Sequence, residues 1–380
     1  MTYFRPYVSG PIIYIETLGL ELTRRGHQVT FLASQHDAHL PLEEIWNGIR
    51  VVRVPVRGRI SKGVVMPSFP RVARRLLEEV DAVLIQVPQA EASLLALMCR
   101  WRGVPSLLTY HCDVQLPRGF SNRVVGGVLL ASNIAAASAA TKIVAYTADY
   151  ARHSPVMSRF MHKVVVIPPP VSPPLVSAEK VEAFRRRHEL GGKAVVGICG
   201  RFSAEKGFEH LIEAVPVLRE SYPDLRILHA GENRDVIGEQ AYRERLRPLL
   251  EKCGEHWVSL GVLAGEELAA FFAACNVTVL PSLNRTESFG LVQVESMLSG
   301  TPVVASNLPG VRVPVQVTGM GKIVTPGSTA ELAEAILDVL RRPEEFCVAR
   351  EKIEAEFSVE RTTDSYESLL RDICAERRRA

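Results

Sequence analysis

The sequence predicts an α/β protein made of two similar units in series, each a parallel sheet covered by helices. Three observations predict it. Short β-rich runs alternate with helical repeats through both halves. The strand candidates are nearly continuous apolar runs, as expected where helices cover both faces of a sheet. The alternation breaks at Pro168, Pro169, Pro170, Pro173 and Pro174, a proline density that neither continues a strand nor starts an ordinary helix and so makes a stiff connector. The expected division is 1–167, a linker at 168–178, a second domain at 179–360 and a last helix at 361–380.

In the first unit, Ile12, Ile15, Leu18 and Leu22 repeat with helical spacing and Gly26 ends the run, which predicts a helix over 12–25. Strands are expected at 28–33, 49–54, 82–86, 106–110, 142–146 and 163–167, with no clear helix between the first two. The stretch 124–141 comes nearest to a membrane span. It is rich in Ala, Gly and Ser and is interrupted by Ser132, Asn133 and Ser138, whereas a span needs about 20 strongly apolar residues, so a buried helix is expected. In the second unit strands are expected at 194–199, 226–230, 258–260, 277–280, 302–305 and 321–324. Helices are expected at 207–220, 241–252, 266–274, 291–299 and 331–342, and a last one at 362–379.

A chain of 380 residues makes about two domains at roughly 100–200 residues each. Its 47% apolar and 23% charged residues exclude collagen-like, disordered and coiled-coil classes. A net charge of +3 makes no general case for nucleic acid. The total hides an asymmetry: residues 1–166 hold 19 basic and 11 acidic residues, leaving 26 and 31 for the rest, which suggests two domains with different partners. Seven cysteines without CxxC spacing argue against a disulfide framework or zinc site and fit a reducing cytoplasm. Tyr3, Arg5 and Pro6 interrupt any apolar start, so no signal peptide is expected.

The strongest chemical signal runs from Leu280-Pro281-Ser282 through Glu287-Ser288-Phe289-Gly290-Leu291 to Glu295, and ends at Gly300-Thr301-Pro302. A strand ends, a polar loop carries Glu287, and Gly290 turns the chain into a helix that Gly300 terminates. The amides of Phe289, Gly290 and Leu291 are expected at the helix start, where an anion or sugar hydroxyls can meet them. Glu287 and Glu295 are held apart on one rigid element, suited to gripping two ends of a long hydroxylated ligand. Hydrolytic pairs instead flank one bond, roughly 5–9.5 Å apart. A solvated surface carboxylate accounts for either Glu taken alone.

A second signal, Gly200-Arg201-Phe202-Ser203-Ala204-Glu205-Lys206-Gly207, follows the strand at 194–199. The guanidinium fork and the ammonium can share a diphosphate and neutralise charge that develops on it; pairing with Glu205 and Glu209 is the structural alternative. The Gly-x4-Gly-Lys-Ser/Thr pattern of a P-loop is absent. In the first half, Ser9-Gly10-Pro11 leaves an amide-rich edge before a helix. His111 and Asp113 follow the strand at 106–110, and a satisfied packing role is the alternative for His111. No ligand set for a metal accompanies them. Two such α/β units leave a cleft, and ligands of open α/β sheets bind outside the carboxyl ends of the strands.

These residues carry a family resemblance. Gly26-His27-Gln28-Val29-Thr30, the Arg201/Lys206 loop, Ala230-Gly231-Glu232, the Glu-x7-Glu string from Glu287 to Glu295, and Gly300-Thr301-Pro302-Val303-Val304-Ala305-Ser306 stand in the order found in family 4 glycosyltransferases. The chain resembles that family over nearly its whole length. The resemblance implies a GT-B fold, two Rossmann-like domains facing across a cleft with the last helix crossing back to the first. It implies that Arg201 and Lys206 hold the donor diphosphate, that Glu295 takes the ribose hydroxyls, and that Glu287 with the amides of Phe289, Gly290 and Leu291 positions the transferred sugar. His111 matches the histidine beside the reacting sugar, and Gly10 the glycine loop near the phosphates. Gly231, Glu232, Val262 and Leu263 border the base. One departure stands out: only Met1–Phe4 precede Arg5 and Pro6 where the family has a complete first strand, so that strand is expected to be truncated.

The implied activity is retaining, metal-independent transfer of a sugar from a nucleoside diphosphate donor to a glycan, lipid or small-molecule acceptor, with no cofactor. Arg53, Arg57, Arg59, Lys62, Arg71, Arg74 and Arg75 add an anionic membrane surface or lipid-linked phosphate as an expected partner, and solvated loop charges explain them equally well. The expected location is cytoplasmic, peripheral to the inner face of the membrane. A catalytically silent nucleotide-sugar binding protein and a GT-B sugar-nucleotide epimerase are the alternatives.

Overall fold

A computed structural model describes residues 1–379 except Val8, 61–62, 116–119, 234–235 and Ile237; Lys62 therefore lies outside the described residues. The chain divides into two compact units, Met1–Pro170 with Phe357–Ala380, and Val171–Glu356, and the passage between them falls inside the proline run.

In chain order the first unit comprises α1 (Gly10–Arg24), β1 (Thr30–Gln35), β2 (Glu43–Trp46), β3 (Ile49–Pro55), β4 (Gly58–Ile60), β5 (Gly63–Val65), α2 (Phe69–Leu76), β6 (Val83–Val87), α3 (Ala92–Trp101), β7 (Ser106–Tyr110), α4 (Phe120–Ala139), β8 (Lys142–Ala145), α5 (Ala148–His153) and β9 (Val164–Val166). Strands β6-β7-β8-β9 form a parallel ladder. A second ladder, β1-β3-β2, pairs β1 and β3 in parallel and adds β2 antiparallel. Residues 1–4 run alongside β1: the Met1 amino group donates to Leu32 O at 2.8 Å and Ser34 N to Thr2 O at 2.9 Å. Phe4, fully buried, meets Phe31 and Trp46 edge-on. One apolar cluster joins Val54 of the second ladder to Ile85, Leu108 and Ile143 of the first.

The buried helix expected at 124–141 is corrected. The helix α4 buries Asn133, Ala136 and Ala137 but exposes Val125, Val128 and Leu130, so among its described side chains full burial is confined to the second half. Among the described residues no helix is long and apolar enough to cross a membrane.

The second unit comprises α6 (Ala178–Arg187), β10 (Val195–Cys199), α7 (Phe208–Ser221), β11 (Arg226–Ala230), α8 (Gln240–Cys253), β12 (Trp257–Gly261), α9 (Gly265–Ala274), β13 (Val277–Leu280), α10 (Leu291–Leu298), β14 (Val303–Ser306), α11 (Val313–Thr318), β15 (Gly321–Val324), α12 (Thr329–Arg341) and most of α13 (Arg350–Phe357). Its six strands are all parallel, in the order β12-β11-β10-β13-β14-β15. Counted from β10 this is the 3-2-1-4-5-6 order of a doubly wound sheet. The direction of winding reverses between β10 and β13, which makes their carboxyl ends the switch point, the place where open α/β sheets bind ligands.

The last helix, α14 (Val359–Arg379), belongs to the first unit. The hydroxyl of buried Tyr366 lies 2.6 Å from Tyr14 Oη and 3.0 Å from Thr109 Oγ1. Arg25 donates to Asp364 at 2.5 Å and Glu367 at 2.9 Å.

Candidate active site

At the switch point of the second unit, β10 ends at Cys199 and the chain turns through Gly200, with φ +147°. The loop that follows carries Arg201 and Lys206 and closes at Gly207, φ +67°, where α7 begins. A Cβ on Gly207 would stand 2.2 Å from Pro281 O, so glycine lets this loop lie against the one after β13. Leu283 N donates to Glu205 O at 2.9 Å, and the two loops form one surface.

Across that surface Lys206 Nζ donates to Glu287 Oε2 at 2.5 Å, with side chains 23% and 16% exposed. Burial works against the lysine's charge, but Glu287 and then Glu205 outweigh it and hold its pKa above the ordinary lysine value. Arg201 is half-exposed, 3.6 Å from Glu205. Glu295 stands beyond the first turn of α10, partly buried, and its carboxylate has no hydrogen bond or ion pair among the described residues. Burial alone pushes its pKa up to about 7. The Cys199 thiol is pushed up to about 12 by burial and then by the charge of Glu295, with Lys206 acting the other way, so these three groups share one environment. A desolvated carboxyl at a switch point, with no partner among the described residues, is a candidate functional position.

The turn into α10 depends on Gly290, φ +79°, where a Cβ would meet Leu280 Cδ2 at 2.3 Å. Phe289 is buried and Leu291 partly so. Gln293, which sequence reasoning passed over, donates to Phe289 O at 2.6 Å and Val311 O at 3.0 Å and so pins the turn. Gly231, at the end of β11, donates to Gly261 O at 2.7 Å. The Glu232 side chain is exposed while its carbonyl accepts from Phe202 N at 2.8 Å. Beyond β12, Val262 is exposed and Leu263 packs in part against the cluster around Phe271. The sheet thus gathers Arg201, Lys206, Glu287, Glu295 and Gly231 at the carboxyl ends of β10, β11 and β13, with Val262 and Leu263 one strand further out.

Gly10 and His111 belong to the other unit. Helix α1 starts at Gly10 itself, Pro11 has no amide hydrogen, and the amides of Ile12 and Ile13 both donate to Ser9 O at 3.0 Å. Two amides expected at that edge are therefore spent within the turn. His111 is buried, its Nε2 2.7 Å from Gln86 Oε1 and its Nδ1 bonded to the Tyr146 hydroxyl. Burial above all pushes its pKa down to about 3, so the ring is neutral, donating from Nε2 and accepting at Nδ1. Gln86 and Tyr146 come from β6 and the end of β8, and only the ladder order shows that they flank β7.

One member of the basic group considered for an acceptor is corrected. Arg53 is buried, bonded to Glu44 at 2.5 Å and to Pro41 O at 3.0 Å, and Arg75 pairs with Glu43 at 2.9 Å. Arg59 bonds to the His36 carbonyl. Arg57, Arg59, Arg71 and Arg74 remain exposed. Among the described residues no group of three or more His, Cys, Asp or Glu is placed to hold a metal ion.

A doubly wound sheet with cations and carboxylates at its switch point places these side chains where open α/β proteins bind their ligands. The chain matches the family described as Glycosyl transferases group 1 over residues 180–354 and the Glycosyl transferase 4-like domain over residues 9–170. It is 30% identical to the 2-deoxystreptamine glucosyltransferase of Streptomyces kanamyceticus, covering 82% of this chain and 85% of that protein. It is 29% identical to the phosphatidyl-myo-inositol mannosyltransferase of Mycobacterium leprae, covering 83% and 80%. Anabaena Alr3699/HepE, solved in complex with UDP-glucose, shares the fold with a TM-score of 0.76 over 98% of each chain at 19% identity. The chain belongs to the family 4 glycosyltransferases and has the GT-B fold.

Proposed function

We propose that the protein transfers a sugar from a nucleoside diphosphate donor to an acceptor with retention of configuration and without a metal. The observation that carries this reading is the Lys206–Glu287 pair beside Glu295, which has no partner among the described residues, at the switch point. Lys206 and Arg201 would take the diphosphate, Glu287 a sugar hydroxyl and Glu295 the ribose hydroxyls. No side chain stands there as an obvious nucleophile, so the departing phosphate takes the acceptor proton while the two cations stabilise it. His111, neutral and held at both ring nitrogens by Gln86 and Tyr146, would stand beside the reacting sugar without acting as a base.

The relatives' names span 2-deoxystreptamine and phosphatidyl-myo-inositol, and the exposed Arg57, Arg59, Arg71 and Arg74 favour an anionic acceptor at the inner face of a membrane. Cosedimentation with anionic vesicles at low salt, lost at high salt, is the expected result, and no binding at either salt contradicts it. The activity itself is tested by a thermal-shift panel of nucleoside diphosphate sugars, followed by donor consumption with and without acceptors. A stabilising donor consumed only with an acceptor supports transfer. Turnover without acceptor would indicate an epimerase, and binding without consumption a silent binding protein.

A further inference from the structure

The loop that carries Arg201 and Lys206 begins and ends on a side chain outside both sequence motifs. His229, on β11, is fully buried. Its Nε2 donates at 2.9 Å to Gly200 O, the carbonyl that directly precedes Arg201. Its ring packs against Phe202 and Phe208, with centroids 5.9 and 4.9 Å away, and those two rings lie 4.6 Å apart. Phe202 follows Arg201 and Phe208 follows Gly207, so one imidazole gathers both ends of the loop. Burial lowers the pKa of His229, which keeps the ring a neutral N–H donor. Gly231 closes on the same carbonyl, since a Cβ there would stand 2.0 Å from Gly200 O. The middle of the loop is held separately: Ala204 N donates to Glu239 Oε2 at 3.1 Å, from the residue that caps α8.

We infer that His229 and Glu239 are positioning residues that preorganise the 200–207 loop as a cradle for a diphosphate. The inference rests on the nucleotide-sugar reading above. A buried polar ring between apolar Leu228 and Ala230 is costly unless it forms its hydrogen bond. The bond it forms fixes the peptide that aims Arg201. Holding the loop before the ligand arrives removes the ordering cost that binding would otherwise carry. An apolar residue at 229 would satisfy the strand equally well and leave the Gly200 carbonyl without that donor.

The test is equilibrium titration of the full chain with UDP, GDP, uridine and guanosine. The wild type is expected to bind one diphosphate more tightly than its nucleoside. His229→Phe keeps an aromatic ring and removes the donor, and it should weaken the diphosphate about tenfold while leaving the nucleoside unchanged. Glu239→Ala, at a partly exposed position, should act in the same direction by about threefold, and it reports even if the His229 variant does not fold. A merely structural role would weaken both ligands equally, and either that result or an unchanged ratio in both variants overturns the inference. A wild type that shows no preference for the diphosphate defeats the nucleotide-sugar reading and this inference with it, and that failure is visible without any variant.

Discussion

Lys206 and Glu287 meet at 2.5 Å although 81 residues separate them in the chain, because β10 and β13 are neighbours in the sheet. The pair is mostly buried, so removal of one partner strands the other charge. Lys206→Ala should cost about 3 kcal/mol of unfolding free energy. The Lys206→Ala/Glu287→Ala double variant should recover part of that loss. A urea-denaturation double-mutant cycle measures the coupling; a value near zero means that the two charges are solvated independently. Transfer by Lys206→Ala at the wild-type rate would remove the lysine from the mechanism.

Glu295 ties stability to pH in the opposite sense from a salt-bridged acid. Its pKa is raised from 4.5 to about 7 by burial, so the folded chain holds the proton more tightly than the unfolded one. The stability it contributes therefore falls as pH rises from about 4.5 to 7 and is lowest above 7. Glu295→Gln removes a cost on the order of 2 kcal/mol above neutrality. The variant should melt a few degrees higher than wild type at pH 8 and at the same temperature at pH 4. Lower melting at pH 8 would show that the carboxylate has a partner.

Glycine acts differently at two positions. Gly231→Ala combines φ +149° with a Cβ 2.0 Å from Gly200 O, and should lose about 2 kcal/mol or more. Gly126→Ala, on α4 with no atom within 4 Å of its Cβ, should gain about 0.5–1 kcal/mol. Denaturation midpoints check both, and equal shifts would contradict the packing at Gly200.

Tyr366→Phe deletes the hydroxyl that joins Tyr14 Oη and Thr109 Oγ1. The expected loss is about 1–2 kcal/mol, with faster amide exchange along α14. Exchange unchanged over Val359–Arg379 would mean that the ion pairs of Arg25 hold the helix alone.

The apolar runs made the parallel strands legible, because a strand buried on both faces must be apolar throughout. The strand at 226–230 and the one at 277–280 form with the expected bounds. Strand β2 was not legible: Glu43-Glu44-Ile45-Trp46 sets two acids before two apolar residues, so its alternating exposure has no counterpart in residue type, Ile45 is 71% exposed, and the segment is a strand through its pairing with β3. The exposure of Val125, Val128 and Leu130 on α4 is not legible either, since apolar residues read as buried whichever way they face. At the site, residue types and their loops could be read in advance. That Lys206 lies on Glu287 while Glu295 has no partner among the described residues follows from strand order, which no local pattern encodes. The role of His229 follows from Gly200 O, which the parallel pairing of β10 and β11 brings beside it and no local pattern encodes.

The proposed function requires the switch point of the second unit to bind a nucleoside diphosphate sugar through Glu295. The most direct measurement is titration of UDP-glucose and GDP-mannose into wild type and Glu295→Ala by calorimetry. Saturable binding of one donor, weakened at least tenfold in the variant by loss of charged hydrogen bonds, is the predicted result. Equal affinity in the two proteins, or no binding of either donor to the wild type, would contradict it.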